Sequence, residues 1–325
     1  MPLSEKALIA RIRKQQPSAR AVIAGIGDDC AILRIPPGHE TVVTTDFSLE
    51  GVHFRRNWHP AEVVGHRCLT RGLSDIAAMG AEPVATFLSL ALPPSLSQKW
   101  VDGFLQGFLR LANAFKVPLA GGDTAESPAG ILADIIVVGS TPRGMAIRRS
   151  GARPGDGIYV TGTLGGSAAT LHLLSSGLKL RPQNFPNHFY PTPRIQVGRF
   201  LRQRHLASAM IDISDGLSTD LSHICEESGV GAEILADAIP RSALGKPAQK
   251  VDLNFALHGG DDYELLFTSP RSKRVPKRIA GVTITAIGTI TGGKHITLIN
   301  NLGAAVAIRP QGWQHFSKRS SRNHR

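Results

Sequence analysis

Gly25-Ile26-Gly27-Asp28-Asp29, read with Thr44-Thr45-Asp46 a strand further on, is the stretch that decides how the rest of the chain is understood. Two carboxylates follow a glycine turn. A third closes the β-branched run Thr41-Val42-Val43-Thr44-Thr45, with hydroxyls beside it. Hard divalent cations such as Mg²⁺ take oxygen ligands and keep some water, so acids placed this way suit them. Related pieces recur downstream: Ser74-Asp75, Gly121-Gly122-Asp123-Thr124, Asp212-Ile213-Ser214-Asp215-Gly216 and Gly259-Gly260-Asp261-Asp262. Crowded carboxylates repel unless cations sit between them. The pattern therefore predicts that these distant acids converge on Mg²⁺-bound polyphosphate.

A chain of 325 residues makes two domains on size grounds, since single cores stop growing beyond about 250–300 residues. Apolar content of 42% supports packed cores, and 34 glycines with 21 prolines imply many turns rather than disorder. No apolar run reaches the ~18 residues of a membrane span, and the charged N-terminal helix, with Ser4 as its cap, has no signal-peptide core. Cys30, Cys68 and Cys225 are widely spaced and odd in number, which gives no metal pattern and makes the cytoplasm the expected compartment. The net charge of +12 raises nucleic acid as a partner, but Lys318, Arg319, Arg322 and Arg325 crowd the C-terminus. The other basic residues form no long block and lack interleaved aromatics, so a basic surface with a basic tail is the reading, with no nucleic acid and no membrane.

Along the chain, Ala21–Ile26, Ala31–Ile35 and Thr41–Asp46 read as strands. A helix starts at Pro60 and runs to Met79 before Gly80, placing Asp75 on an inward or cleft-facing side. Val84–Leu92 is a strand, and Ser97 caps a core helix through Phe115. Val117–Ala120 and Ile131–Gly139 are strands flanking a Gly121–Thr124 loop. The Gly/Pro-rich stretch 148–156 looks like a hinge, which sets domains at 1–148 and 149–316, with 317–325 a basic tail. The second half reads as strand Gly157–Thr161, helix Ser167–Leu174, a polar connection over 175–193, strand Ser208–Ile213, a helix after Gly216, and strands Tyr263–Thr268, Thr283–Thr289 and His295–Ile299. The fold class is mixed α/β.

No Walker A loop, kinase catalytic loop, nucleophile elbow or zinc spacing is present. Taken singly, each Asp after Gly is a turn former or helix cap as readily as a ligand. His53 either contacts a phosphate or packs beside Phe54. Arg149 either clamps a phosphate with its planar fork or decorates the hinge.

In combination, residues 25–31, 44–46 with Gly51-Val52-His53-Phe54, 73–81, 121–124, Arg149-Ser150-Gly151-Ala152, 211–217 and 259–265 resemble the thiamine-monophosphate kinase family. That family belongs to the aminoimidazole-ribonucleotide synthetase-like (AIR-synthetase-like) superfamily, and the motifs run in order over about residues 4–316. The resemblance implies a two-domain fold: an N-terminal domain contributing strands to a dimeric β-barrel, and a C-terminal α/β domain. It implies ATP as co-substrate, several Mg²⁺ ions, a homodimer, and transfer of the γ-phosphoryl to thiamine monophosphate. Carried over by position, the metal ligands are Asp29, Thr44, Thr45, Asp46, Asp75, Asp123, Asp212 and Asp215. Gly122, Asp123, Arg149 and Ser214 contact the nucleotide; His53, Asp261 and Trp313 contact the substrate. Position 261 is Asp where the family usually has Glu, one methylene shorter. No general base is expected, because a phosphate monoester is already ionised near neutral pH, its second pKa being ~6. Direct in-line transfer without a phosphoenzyme follows. The competing readings are another ATP-dependent activity of the superfamily, such as a ring-closing or selenophosphate synthetase, and a basic non-catalytic binding protein.

Overall fold

The structure, a computed structural model, describes residues 3–15, 20–27, 29–300 and 302–312. The first half runs α1 (Glu5–Lys14), β1 (Val22–Ala24), β2 (Ile32–Leu33), β3 (His39–Leu49), α2 (Ala61–Ala78), β4 (Glu82–Leu92), α3 (Gln98–Ala114), β5 (Leu119–Glu126) and β6 (Leu132–Pro142). Its main sheet has the order β3-β6-β4-β5, antiparallel except for the β4–β5 pair. Helices α2 and α3 cover one face: Leu69, Leu73 and Ile76 of α2 and Phe104 and Phe108 of α3 share a core with Leu88, Ile135 and Val137 of the strands. Ser97 caps α3, its side chain accepting the Trp100 N–H. On the opposite face Val43 and Phe47 of β3 are 65% and 53% exposed.

The Gly121–Thr124 segment lies within β5 instead of forming the loop expected from its glycines. Gly122 pairs beside Leu88, and a Cβ there would sit 1.9 Å from the Leu88 carbonyl oxygen. The glycines thus permit close strand pairing, a role that composition alone does not separate from a turn.

The second half runs β7 (Gly157–Thr161), α4 (Gly166–Ser175), α5 (Pro186–Phe189), α6 (Ile195–Gln203), β8 (Ala209–Ile213), α7 (Leu217–Ser228), β9 (Gly231–Leu235), β10 (Ala243–Leu244), β11 (Gln249–Lys250), α8 (Leu253–His258), β12 (Glu264–Ser269), β13 (Arg278–Ile279), β14 (Val282–Thr291), β15 (Ile296–Ile299) and β16 (Ala305–Ile308). Its sheet has the order β16-β15-β9-β14-β7-β12-β8, with β13 paired to β14. Sequence reasoning missed α6 and β9, and the 175–193 connection is not merely polar, since α5 within it buries His188 and Phe189.

Helix α2 joins the halves. Leu265 and Phe267 of β12, Met210 of β8 and Leu201 of α6 belong to the same apolar cluster as Leu73 and Ile76. A helix buried on nearly every side is apolar nearly all round, and most residues of α2 from Val63 to Ala78 are buried. The α2–α3 contact is equally close: a Cβ on Gly107 would lie 1.8 Å from the Glu62 carbonyl oxygen. Overpacking of this kind costs about 1–3 kcal/mol or more. Gly107→Ala should therefore lower the unfolding free energy by about that much, seen as a lower urea midpoint at unchanged slope; an unchanged midpoint would show that α2 and α3 part without penalty.

Candidate active site

The sequence places acids at three points that the fold brings to one seam. Asp46 ends the hydroxyl-rich centre of β3, Asp75 lies in the last turns of α2, and Asp212 is near the end of β8. The carboxyl groups of Asp46 and Asp75 lie near enough for a proton on Asp46 to be shared with Asp75. The Thr44 hydroxyl donates to Asp75 Oδ2. Asp212, only 3% exposed, accepts from the Ser74 hydroxyl at 2.7 Å, which ties β8 to α2. Burial, then the charge of Asp75, pushes the Asp46 carboxyl up to about 7 and that of Asp212 up to about 8. Burial raises Asp75 as well. Arg71 and Arg149 oppose the shifts, Arg71 at Asp46 and Asp75, Arg149 at Asp75 and Asp212. Carboxylates beside a hydroxyl are the donor type a hard divalent cation takes, but as they stand the three carboxyls do not all come within 4.8 Å of one another, as those of Asp215 and Asp220 do with His223.

A second polar knot lies beside the first. Asp261 accepts from Arg67 Nη2 at 2.8 Å on Oδ2, and from the Tyr263 hydroxyl at 2.5 Å and Arg71 Nη2 at 3.3 Å on Oδ1. Burial alone would raise its carboxyl, but Arg67 and Arg71 hold it well below the usual carboxylate range. Asp261 and Tyr263 both take left-handed backbone, φ 64° and 52°, and their N–H groups donate to Ser214 O (2.8 Å) and Ile213 O (2.9 Å). Non-glycine residues held there mark a conformation fixed by its surroundings. Between them Asp262 accepts the N–H of Gly165 (2.7 Å) and of Ser167 (3.4 Å) at the start of α4. Arg67 also donates to the His188 carbonyl. His188 Nε2 meets His59 Nε2 at 3.0 Å, and its Nδ1 meets the Ser167 hydroxyl at 2.9 Å. Burial, then the nearby Arg67 charge, lowers both rings, His59 to about 4 and His188 well below the ordinary value.

The remaining sequence candidates distribute differently. Phe47, Asp134, Ser89 and Asp123 form one cross-strand row, a residue out of phase with Asp46. Successive strand residues point to opposite faces. Asp123 and Thr45 thus lie on the open face of the sheet, where Thr45 donates to Asp134 Oδ1 at 2.8 Å and Asp123 accepts the Thr124 N–H at 2.8 Å. Gly122 and Asp29 are exposed. The expectation that all the acids meet in one cleft divides in two within a single chain. Asp215 groups with Asp220 and His223, their ligand atoms within 4.8 Å of one another, and buried Asp220 accepts the Asp215 and Gly216 N–H groups. Ser214 is half-buried and uses its carbonyl to seat the Asp261 turn. His53 Nδ1 accepts the Leu49 N–H at 2.9 Å. Arg149 is exposed and its charge reaches Asp75 and Asp212. Trp313 and the 317–325 tail lie outside the described residues. Sequence reasoning passed over Arg67, Arg71, His59, His188 and Asp134; the available signal was the spacing of Arg67, Arg71 and Asp75, one turn apart on a buried helix.

Two family models match the chain in series: AIR synthase related protein, N-terminal domain, over residues 27–145, and its C-terminal domain over residues 153–301. The chain is thus a two-domain protein of the AIR synthase-related class. A curated thiamine-monophosphate kinase of Salmonella typhimurium is 40% identical over 98% of this chain and 99% of its own length, and that of Escherichia coli K12 is 39% identical over the same shares. The crystal structure of thiamine-monophosphate kinase from Stenotrophomonas maltophilia superposes with TM-score 0.80 at 36% identity, covering 94% of this chain and 99% of that one. AaThiL complexed with AMPPCP and TMP does so at 0.76 and 34%, covering 97% and 99%. The hydrogenase maturation protein HypE in complex with ATP shares the fold at 17% identity, TM-score 0.77, covering 94% of each chain. The chain belongs to the thiamine-monophosphate kinase family.

The paired histidines make a test of the seam. Because their folded pKa values are depressed, they stay neutral while the unfolded chain takes up protons below about 6.5, and each such group removes up to about 1.4 kcal/mol per pH unit. The stability tied to their neutral rings is fully present above pH 6.5 and is lost towards pH 4, while the raised Asp46 and Asp212 carboxyls act in the opposite sense over the same range. Relative to wild type, His59→Asn/His188→Asn should therefore gain stability as the pH falls from 7 to 5, read by urea denaturation of both proteins; a difference between them that does not change with pH would place the acid sensitivity of the seam elsewhere.

Proposed function

We infer that this chain phosphorylates thiamine monophosphate to thiamine diphosphate at the expense of ATP. The observation that carries the reading is the convergence of Thr44, Asp46 and Asp75 with Asp212 at the seam, in a chain about 40% identical over nearly its whole length to curated thiamine-monophosphate kinases. No helix among the described residues is long and apolar enough to cross a membrane. The cytoplasm suits both that and a biosynthetic role. We place the domain boundary at 148/149 and assign 149–316 to the second domain.

Asp46, Asp75 and Asp212 would hold Mg²⁺, with Thr44 orienting Asp75 and Ser74 orienting Asp212. When bound, the cation would supply neutralisation of the ATP polyphosphate and the acceptor's phosphate, two anions that otherwise repel. The protein's own part is orientation. Thr44 and Ser74 fix the carboxylates, Arg149 adds positive charge at the mouth of the seam, and the two domains set where the phosphates meet. The acceptor attacks through a phosphate oxygen that has already lost its proton near neutral pH, its second pKa being ~6. No side chain then removes a proton, and transfer is direct and in line. Asp29, Thr45, Asp123 and Asp215 are proposed as further oxygen ligands, with Gly122, Asp123, Arg149 and Ser214 for the nucleotide and His53 and Trp313 for the substrate.

The open face of the first sheet supports a homodimer. Val43 and Phe47 stand exposed on edge strand β3 beside the Thr45–Asp134 pair. A second copy laid against this face would cover the apolar side chains and bring its own residues towards Asp123.

Purified protein with Mg²⁺-ATP and thiamine monophosphate should yield thiamine diphosphate and ADP; absence of product would remove the assignment. Asp46→Asn and Asp75→Asn should each lower kcat by about 100-fold or more with the circular-dichroism spectrum intact. Wild-type turnover in both at limiting Mg²⁺ would take the cation away from the seam. Val43→Glu/Phe47→Glu should sediment as a monomer; an unchanged sedimentation coefficient would locate the interface elsewhere.

A further inference from the structure

Arg67, Arg71 and Asp75 occupy successive turns of α2 and so share one stripe of the helix. The two arginines are engaged differently. Arg67, 5% exposed at its side chain, divides its fork between Asp261 and the His188 carbonyl. Arg71, 14% exposed, gives one Nη2 contact to Asp261 Oδ1 at 3.3 Å, and among the described residues no other hydrogen bond engages its guanidinium. Its charge is nonetheless felt by Asp46 and Asp75 on one side and by Asp261 and Tyr263 on the other. Arg71 therefore stands between Asp46 and Asp75 on one side and the Asp261 turn on the other, with donors to spare, where an anionic substrate would have to approach those two carboxyls. Asp261 is placed for the opposite role: both of its oxygens are taken by protein donors.

We propose that Arg71 binds the phosphate of the acceptor substrate, and that Asp261, with Arg67 and Tyr263, is the positioning group that holds the Arg71 fork from behind rather than a direct contact to the thiamine. The assignment rests on the thiamine-monophosphate kinase reading and adds a residue to it. A guanidinium fork matches phosphate oxygens two at a time, whereas a carboxylate in this position would repel them. The shorter Asp at 261 is then no handicap, because its reach is to Arg67 and Arg71.

The test compares wild type, Arg71→Met, Arg71→Lys, Asp261→Asn and the Arg71→Met/Asp261→Asn double variant, each with thermal melts to confirm folding. A lost charge-assisted contact to phosphate weakens binding by roughly 10- to 100-fold. In Arg71→Met the KM for thiamine monophosphate should rise by that factor, with the KM for ATP changed by less than about 2-fold and with Arg71→Lys recovering part of the loss. In equilibrium binding without ATP, wild type should prefer thiamine monophosphate over unphosphorylated thiamine, and Arg71→Met should lose that preference. Asp261→Asn should act in the same direction, and the double variant should be no worse than Arg71→Met. Equal rises in both KM values, or a retained preference for the phosphorylated ligand, would overturn the assignment and leave Arg71 as a structural counter-charge. Additive losses in the double variant would return Asp261 to the substrate. Wild-type protein that forms no thiamine diphosphate would remove the functional reading itself, an outcome distinct from an active enzyme indifferent to Arg71.

Discussion

Like charge held in a small space is the constraint on which this structure depends. Asp46, Asp75 and Asp212 come from different elements and meet with little water around them; burial raises all three, and the charge of Asp75 drives Asp46 and Asp212 further towards the protonated form. Such a cluster opposes folding, and it persists only because the elements carrying it are fixed by other means. Helix α2 is the means. It lies between both sheets, shares its core with strands and helices of both halves, and carries Ser74 and Asp75 into the seam on a backbone that packing does not allow to shift.

The polar links across the seam act in the same sense. Ser74–Asp212, Arg67–Asp261 and the Arg202–Glu82 ion pair each join residues far apart in the chain, and each has a donor or acceptor that is nearly buried. A buried charge left without its partner is strongly destabilising, so these contacts specify one relative placement of the two domains more than they add net stability. That specification matters for phosphoryl transfer. Small errors in placement of the reacting groups cost large factors in rate, and here the groups that would hold them come from both domains.

Much of this was legible in the sequence, and the failures have physical causes. The helical run after Pro60, the Ser97 cap and strand Gly157–Thr161 all follow from local periodicity and punctuation, and the structure has them within a residue or two. The acids stood out as candidate ligands by type and by their glycine or hydroxyl neighbours. What local pattern cannot supply is the face. Thr44 and Thr45 look equivalent in sequence, yet one donates to Asp75 and the other to Asp134 on the far side of the sheet. Nor does a buried helix announce what its arginines serve, because the Asp261 that engages Arg71 lies 190 positions away. The glycines at 121 and 122 were misread for a related reason: close approach to Leu88 and a loop turn use the same residue type.

Strand parity carries the last step. Because β3 presents Thr44 and Asp46 to α2 and Thr45 and Phe47 to the open face, one strand contributes oxygen donors to two separate surfaces. An acid on an open, partly apolar face is poorly placed to act alone, since solvent screens its charge. Covered by a second copy, the same acid becomes part of an enclosed site. The division of the carboxylates between the two faces is then the expected form of a site shared between subunits: Asp46, Asp75 and Asp212 belong to the seam of one chain, and Asp123 and Asp134 stand where the proposed partner would close over them.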